Sequence, residues 1–358
     1  MSSHRSPSEV RASLKHPIID GDGHWVEYNP VFAERMRKLA GDKAADGFLL
    51  SQRRIPDALK LSIAQRKERG IAMEGYWTRQ STNTRDRATA MMPRMLYDRL
   101  DELGIDFGII YPTAGLSVPR IQDDATRRAV CRGFNLVTAE YFGKLSDRLT
   151  PAAVIPMFTP EEAIEELEFC VKQLGAKGIA YMDPKKLDRA LLKSLVDKYG
   201  DSDMIAELAK RDGWPSKEED EPTGGVTELD DFAACKITRK QDWVDLYAKP
   251  YYFGCEADDR MNVTAFGRAN PFGAKINAIF SSDIGHFDVP DMLQPVPEAY
   301  ELVEDGLITP ADFRDFTFAN GVRLWGTQNP DFFKGTAIAR QAAEVLDHTY
   351  SPVRAAAE

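Results

Sequence analysis

No CxxC pair, no block of lysine and arginine, and no apolar run near the roughly 20 residues that cross a bilayer occurs in this chain. Its four cysteines, Cys131, Cys170, Cys235 and Cys255, are scattered. That leaves neither a thiolate zinc site nor a disulfide framework, and it fits reduced thiols in a cytoplasmic protein. The N-terminal stretch MSSHRSPSEVRASLKHP lacks an apolar segment, so export and membrane insertion are not expected. Acidic residues outnumber basic ones 56 to 46, for a formal charge of −10. A phosphate backbone or an anionic bilayer would be repelled, which excludes nucleic acid and membrane and leaves a small molecule as the expected partner. Internal repeats and low-complexity tracts are absent as well.

What is present is apolar side chain, 43% of 358 residues, enough for one large core. Residues 1–16 are polar and read as a flexible arm, and 341–358 read as a C-terminal tail, leaving 17–340 as the folded domain. Pro17-Ile18-Ile19-Asp20 opens an apolar run that ends in Asp22 and His24, the first strand. From about 29 to 92 the chain is rich in Arg, Lys and Ala at helical spacing, a helical insertion that follows that strand. A helix over 94–103 closed by Gly104 leads to a strand over 105–112. A helix over 124–144 leads to 151–157, and a helix over 160–174 closed by Gly175 leads to 177–182. Alternation of this kind gives a parallel sheet with right-handed crossovers. Residues 183–250 break the rhythm with helices over 185–199 and 202–211, an acidic loop at 217–222 and only a weak strand candidate at 232–238. Strand patterns return at 251–256 and 276–283, giving six in all.

A parallel α/β barrel carries its chemistry on the C-terminal ends of its strands, so polar residues at those ends are the candidates. In Asp22-Gly23-His24 the two-residue period of an extended chain puts carboxylate and imidazole on one face, where both can grip a cation. A helix cap and a hydrogen-bonded core histidine are the rival roles. Asp283 ends the last strand and His286 follows it in the loop. Glu256, with Asp258 and Asp259, is either a further metal ligand or, by preference, part of a solvated turn. Trp25 reads as either pocket wall or packing, and Trp325 and Arg323 as structural.

Four stretches together resemble a known family: Ile18 to Glu27 (IIDGDGHWVE), Asp98 to Asp106 (DRLDELGID), Ser281 to Asp288 (SSDIGHFD), and Ala319 to Gly326 (ANGVRLWG) with Asn329 to Phe333 (NPDFF). They are similar to the amidohydrolase-related branch of the amidohydrolase superfamily, which holds aminocarboxymuconate-semialdehyde decarboxylase and the hydroxybenzoate decarboxylases. The resemblance covers most of 17–182 and 183–336. It implies a TIM-type (β/α)8 barrel in which Asp22, His24 and Asp283 bind a divalent metal, with His286 nearby to touch the substrate or support a ligand; for a decarboxylation at this site, Asp283 or His286 is the expected catalytic acid. Zinc is expected first. Two carboxylates and one imidazole make an oxygen-rich set, which also admits Mn²⁺ or Mg²⁺. A homodimer is implied too.

The chain departs from the family pattern in one respect. Relatives carry a further metal-binding histidine after the fifth strand and a catalytic histidine after the sixth, whereas here the five histidines are His4, His16, His24, His286 and His348. The sequence reads as though a block had been removed at the junction of Met182 and Asp183, leaving an incomplete barrel of six strands where a closed one has eight. The expected activity is metal-dependent decarboxylation of a small aromatic or unsaturated carboxylic acid. A metal-dependent amide, ester or lactone hydrolase is the second possibility, and a non-catalytic relative that binds a ligand or partner is the third.

Overall fold

Proline and glycine set the ends of the helices that cross between the strands. Helix α5 (Pro93–Leu103) begins on Pro93, buries Leu96, Leu100 and Leu103, and stops at Gly104, whose φ of +75° suits a residue without a Cβ. Helix α7 (Pro160–Leu174) starts in a reciprocal Thr159/Glu162 capping box and stops at Gly175. Between them, α6 (Asp124–Phe142) is capped by Asp123, whose side chain accepts from the Thr126 N–H at 2.8 Å. These helices connect strands β1 (Ile19–Trp25), β2 (Phe107–Pro112), β3 (Leu149–Val154) and β4 (Gly178–Ala180), which lie side by side in that order, all parallel. Strands β5 (Tyr252–Glu256) and β6 (Asn277–Ser281) form a second parallel pair.

The structure, a computed structural model, describes residues 5–52, 62–68, 84–180, 236–267, 269–286 and 289–354. The fold is mixed α/β, and the six strands predicted from the sequence are the six among the described residues. Two compact units are distinguished: Met1–Met182 with Leu246–Glu358, and Asp183–Asp245, of which only 236–245 are described. The division falls at the Met182/Asp183 junction that the sequence singles out. Residues 240–243 of the second unit form a short helix. The helices expected at 185–199 and 202–211, the acidic loop and most of the weak strand candidate lie outside the described residues. In the insertion, α2 (Asn29–Ala40), α3 (Asp42–Ser51) and α4 (Thr84–Met91) are helical as expected.

The parallel strands bury side chains on both faces. Ile18, Ile110, Leu149 and Phe280 join α2, α3, α5 and α6 in a large outer core with Phe32, Phe48, Phe134 and Phe142. Ile19, Phe107 and Ile109 face a smaller inner core, closed by Phe318, Val322, Phe332, Phe333 and Val345. Val322 lies on α8 (Asn320–Gly326) and Val345 on α9 (Ala339–Arg354).

Two expectations about the ends are corrected. Residues 7–13 of the supposed flexible arm form helix α1 (Pro7–Ser13), because Ser6 and Glu9 cap it reciprocally and Val10 is buried. Arg11 then pairs with Asp106 at 3.0 Å, and Asp106 accepts the Ile18 N–H at 2.8 Å, which ties this helix to the start of β1. The supposed tail is α9, whose Ala342, Val345 and Leu346 follow the i, i+3, i+4 spacing and close the inner core. Cys131, Cys170 and Cys255 are free thiols, as expected.

Candidate metal centre

The site is built where β1 and β6 meet. Just past the last residue of β6 the chain turns sharply, and its backbone is stitched to β1: the Asp283 N–H donates to Asp22 O at 3.0 Å and the His24 N–H to Ile284 O at 2.8 Å. The turn needs a left-handed residue at Asp283 (φ +51°) and another at Gly285 (φ +98°). Aspartate tolerates that region better than most side chains do. Position 285 admits only glycine, since a Cβ there would lie 2.4 Å from the carbonyl oxygen of His24.

A buried carboxylate that the sequence reading passed over locks the two strands. Asp20 is fully enclosed and accepts from the Ser282 N–H (2.9 Å), the Ser282 hydroxyl (2.6 Å) and the Asp22 N–H (3.2 Å). The Ser282 oxygen in turn accepts from the Ile284 N–H at 3.1 Å. Burial pushes the Asp20 carboxyl up to about 7 against the pull of these hydrogen bonds. Glu27, three residues past His24, is also buried. It accepts from the N–H groups of Ala114 (2.7 Å) and Gly115 (3.2 Å) and is likewise pushed by burial to about 7. Asp20 shows in the sequence as a charge inside an apolar strand, and that was the signal available to find it.

These two carboxyls make a testable contribution to stability. A carboxyl whose folded value lies above its unfolded one favours the fold fully below the unfolded value, near 4, and that support is lost as pH rises to about 7. For Glu27 the loss is on the order of 3 kcal/mol. His16 acts in the opposite direction, because burial lowers its value and stability falls as pH drops below 6.5. Comparing Glu27→Gln with wild type removes the His16 contribution. In urea unfolding of metal-free protein, the variant is expected to gain relative to wild type between pH 5 and pH 8. An unchanged difference would reject the assignment.

With the strands locked, four side chains converge. His24 Nε2 stands 3.1 Å from Asp22 Oδ1 and 3.3 Å from Asp283 Oδ1, and His286 Nδ1 stands 2.5 Å from Asp283 Oδ2. The imidazoles of His24 and His286 lie with ring centroids 3.7 Å apart. His24, Asp283 and His286 each offer a donor atom within 4.8 Å of the others. The Asp22 carboxylate meets this group at His24, and the side chain is 43% exposed. Two donors at about 2.1 Å from one ion, at octahedral or tetrahedral angles, stand about 3.0 to 3.4 Å apart. The separation of His24 Nε2 from Asp283 Oδ1 falls in that range, and His24, Asp283 and His286 are the side chains close enough to one another to hold a divalent cation. His24 Nδ1 is enclosed and has no hydrogen-bond partner among the described residues.

The remaining candidates fall outside the cluster. Glu256 is exposed, its carbonyl accepts from the Asn262 side chain at 2.7 Å, and Asp259 caps the following turn, the solvated-turn role. Trp25 points into the outer core, edge-on to Phe32 and Phe142. Trp325 stacks on Phe332, and Arg323 donates to Asn320 Oδ1 at 3.0 Å, both structural. Tyr111, next to last in β2 and in register with His24, was also missed. Applying the strand-end rule to the run 107–112 would have found it.

No protein-family model matches the chain, and no curated protein matches it. Solved structures with an overlapping course of chain include a dihydroxybenzoic acid decarboxylase from Polaromonas sp. JS666 with bound manganese and the inhibitor 2-nitroresorcinol. It is 18% identical, with 89% of this chain and 99% of that one covered and a TM-score of 0.44. A 2,6-dihydroxybenzoate decarboxylase from Rhizobium is 15% identical, covering 88% of this chain and 100% of that one, with a TM-score of 0.43. A manganese-bound 5-carboxyvanillate decarboxylase from Novosphingobium aromaticivorans is 14% identical, covering 88% and 97%, with a TM-score of 0.38. Among the described residues, no helix is long and apolar enough to cross a membrane.

Proposed function

We propose that this chain is a metal-dependent decarboxylase of small aromatic carboxylic acids, built on a TIM-type barrel reduced to six strands, with its site at the mouth formed by β1 and β6. The observation that carries the reading is the meeting of His24, Asp283 and His286, with Asp22 beside His24, where the turn after β6 is hydrogen-bonded to the backbone near the C-terminal end of β1. Asp22, His24 and Asp283 would hold the cation, with His286 as a fourth donor or as the partner of Asp283. Zinc, the first choice on the sequence, gains nothing further in its favour; manganese, which two of the neighbours hold, is the ion for the tests.

When bound, the cation would supply a positive charge to orient the acid and stabilise electron density left behind as CO₂ departs. The chain's own groups perform the proton work. His286 Nδ1 stands 2.5 Å from Asp283 Oδ2, close enough for a proton to pass between imidazole and carboxylate. As the bond from ring carbon to carboxylate breaks, its electron pair stays on the carbon and CO₂ leaves. The carbon then takes the proton that the Asp283/His286 pair holds. Asp20 and Gly285 fix the turn on which that pair sits.

Incubating manganese-loaded protein with a panel of hydroxybenzoates is expected to release CO₂ from at least one, and Asp283→Asn is expected to lower that release at least about 100-fold. Release of no CO₂ by metal-loaded protein, or hydrolysis of lactones in its place, would contradict the reading.

A further inference from the structure

Beside the ligand cluster stands a tyrosine that no step above uses. Tyr111, next to last in β2, stands directly opposite His24 in the parallel register, and partners on adjacent parallel strands project to the same side. Its ring centroid lies 6.0 Å from that of His24. Phe107 and Ile109, four and two residues earlier on the same face, are buried in the inner core, so the half-buried Tyr111 ring stands at the end of a packed row. Its hydroxyl makes no hydrogen bond to the described chain, and the carboxylates of Asp22 and Asp20 are the charges that act on it. Burial first, and these two anions second, push the phenol up to about 12. A phenol is an O–H donor at ordinary pH with or without such a shift. A tyrosine placed for packing alone has no need of its oxygen, and the Tyr111 hydroxyl is not among the enclosed polar atoms of the described residues, which leaves it open to a bound molecule.

We propose that Tyr111 is a ligand-recognising residue: its hydroxyl donates a hydrogen bond to a carboxylate or phenolate oxygen of the aromatic acid held beside His24 and Asp283. The inference rests on the decarboxylase reading and deepens it. It assigns specificity for an oxygen-bearing anion to the end of β2, where an uncharged donor accepts an anion without adding a counter-charge.

Tyr111→Phe is the direct test, because the ring and its packing remain and only the oxygen is lost. Calorimetric titration of manganese-loaded wild type and variant with 2,6-dihydroxybenzoate is expected to show roughly tenfold weaker binding in the variant. The manganese affinity and thermal midpoint are expected to stay the same. Equal binding of 2,6-dihydroxybenzoate by the two proteins would overturn the inference and leave the decarboxylase reading untouched. Wild type that takes up manganese and binds none of the acid would overturn the reading itself, and this inference with it.

Discussion

Gly285→Ala is expected to destabilise the protein by about 3 kcal/mol or more and to abolish metal uptake even in the fraction that stays folded. Two costs combine at this position. The backbone at φ +98° is one that a side chain rarely adopts, and the new Cβ would sit 2.4 Å from the His24 carbonyl oxygen and 2.9 Å from its carbon. Relief requires the loop to draw back from β1. That breaks the hydrogen bond from the His24 N–H to Ile284 O and moves Asp283 away from His24 Nε2. Gly335→Ala supplies the control, since its φ is also positive (+77°) but nothing lies within 4 Å of the added carbon. That variant is expected to lose only about 1 kcal/mol and to keep its metal. Urea unfolding of the two variants measures the contrast, and similar losses in both would mean that the contact with His24 is unimportant.

The second large effect is metal-linked stability. A cation that binds only the folded chain, present at about 100 times its dissociation constant, adds about 2.7 kcal/mol. Manganese at that level is expected to raise the melting temperature of wild type by several degrees and that of His24→Ala by nothing measurable. His24 is the centre of the cluster, and among the described residues its side chain meets Asp22, Asp283 and the His286 ring together. Removing it takes away a ligand and leaves carboxylates with no common partner. Asp22→Asn is expected to keep a partial shift, because the Asp22 carboxylate meets the cluster at His24 and is 43% exposed. A full shift in His24→Ala would place any bound metal elsewhere.

How much of this was legible in the sequence follows from the range of each interaction. The crossover helices α5 and α7 could be read closely, since their start and stop signals lie within their own few residues: Pro93 and Gly104, Thr159 and Gly175. Helix α1 carries a signal of the same kind, Ser6-Pro7-Ser8-Glu9, and was missed because a short polar N-terminus invites a reading as loose chain. Helix α9 has its apolar spacing in plain view. What hid it was the absence of any sequence cue that the inner face of the strands required a cover at that place.

The site divides along the same line. Asp22, His24, Asp283 and His286 stood out because each lies at the end of an apolar run. The lock that brings the two ends together, Asp20 on Ser282, joins residues 262 apart in the chain, and no local pattern records such a bond. The same holds for Tyr111, which matters only because register sets it opposite His24. Asp22 illustrates the converse: the two-residue period places it correctly beside His24, yet the bulge between Asp20 and Gly23 loosens the strand there, and its side chain is left partly in solvent.

The most direct test of the metal centre is plasma mass spectrometry of wild type, His24→Ala and Asp283→Ala, each saturated with manganese and then dialysed. Near-stoichiometric manganese in wild type, lost in both variants, is the result expected. Wild type that retains none, or variants that retain as much as wild type, would contradict the metal centre and the decarboxylase reading built on it.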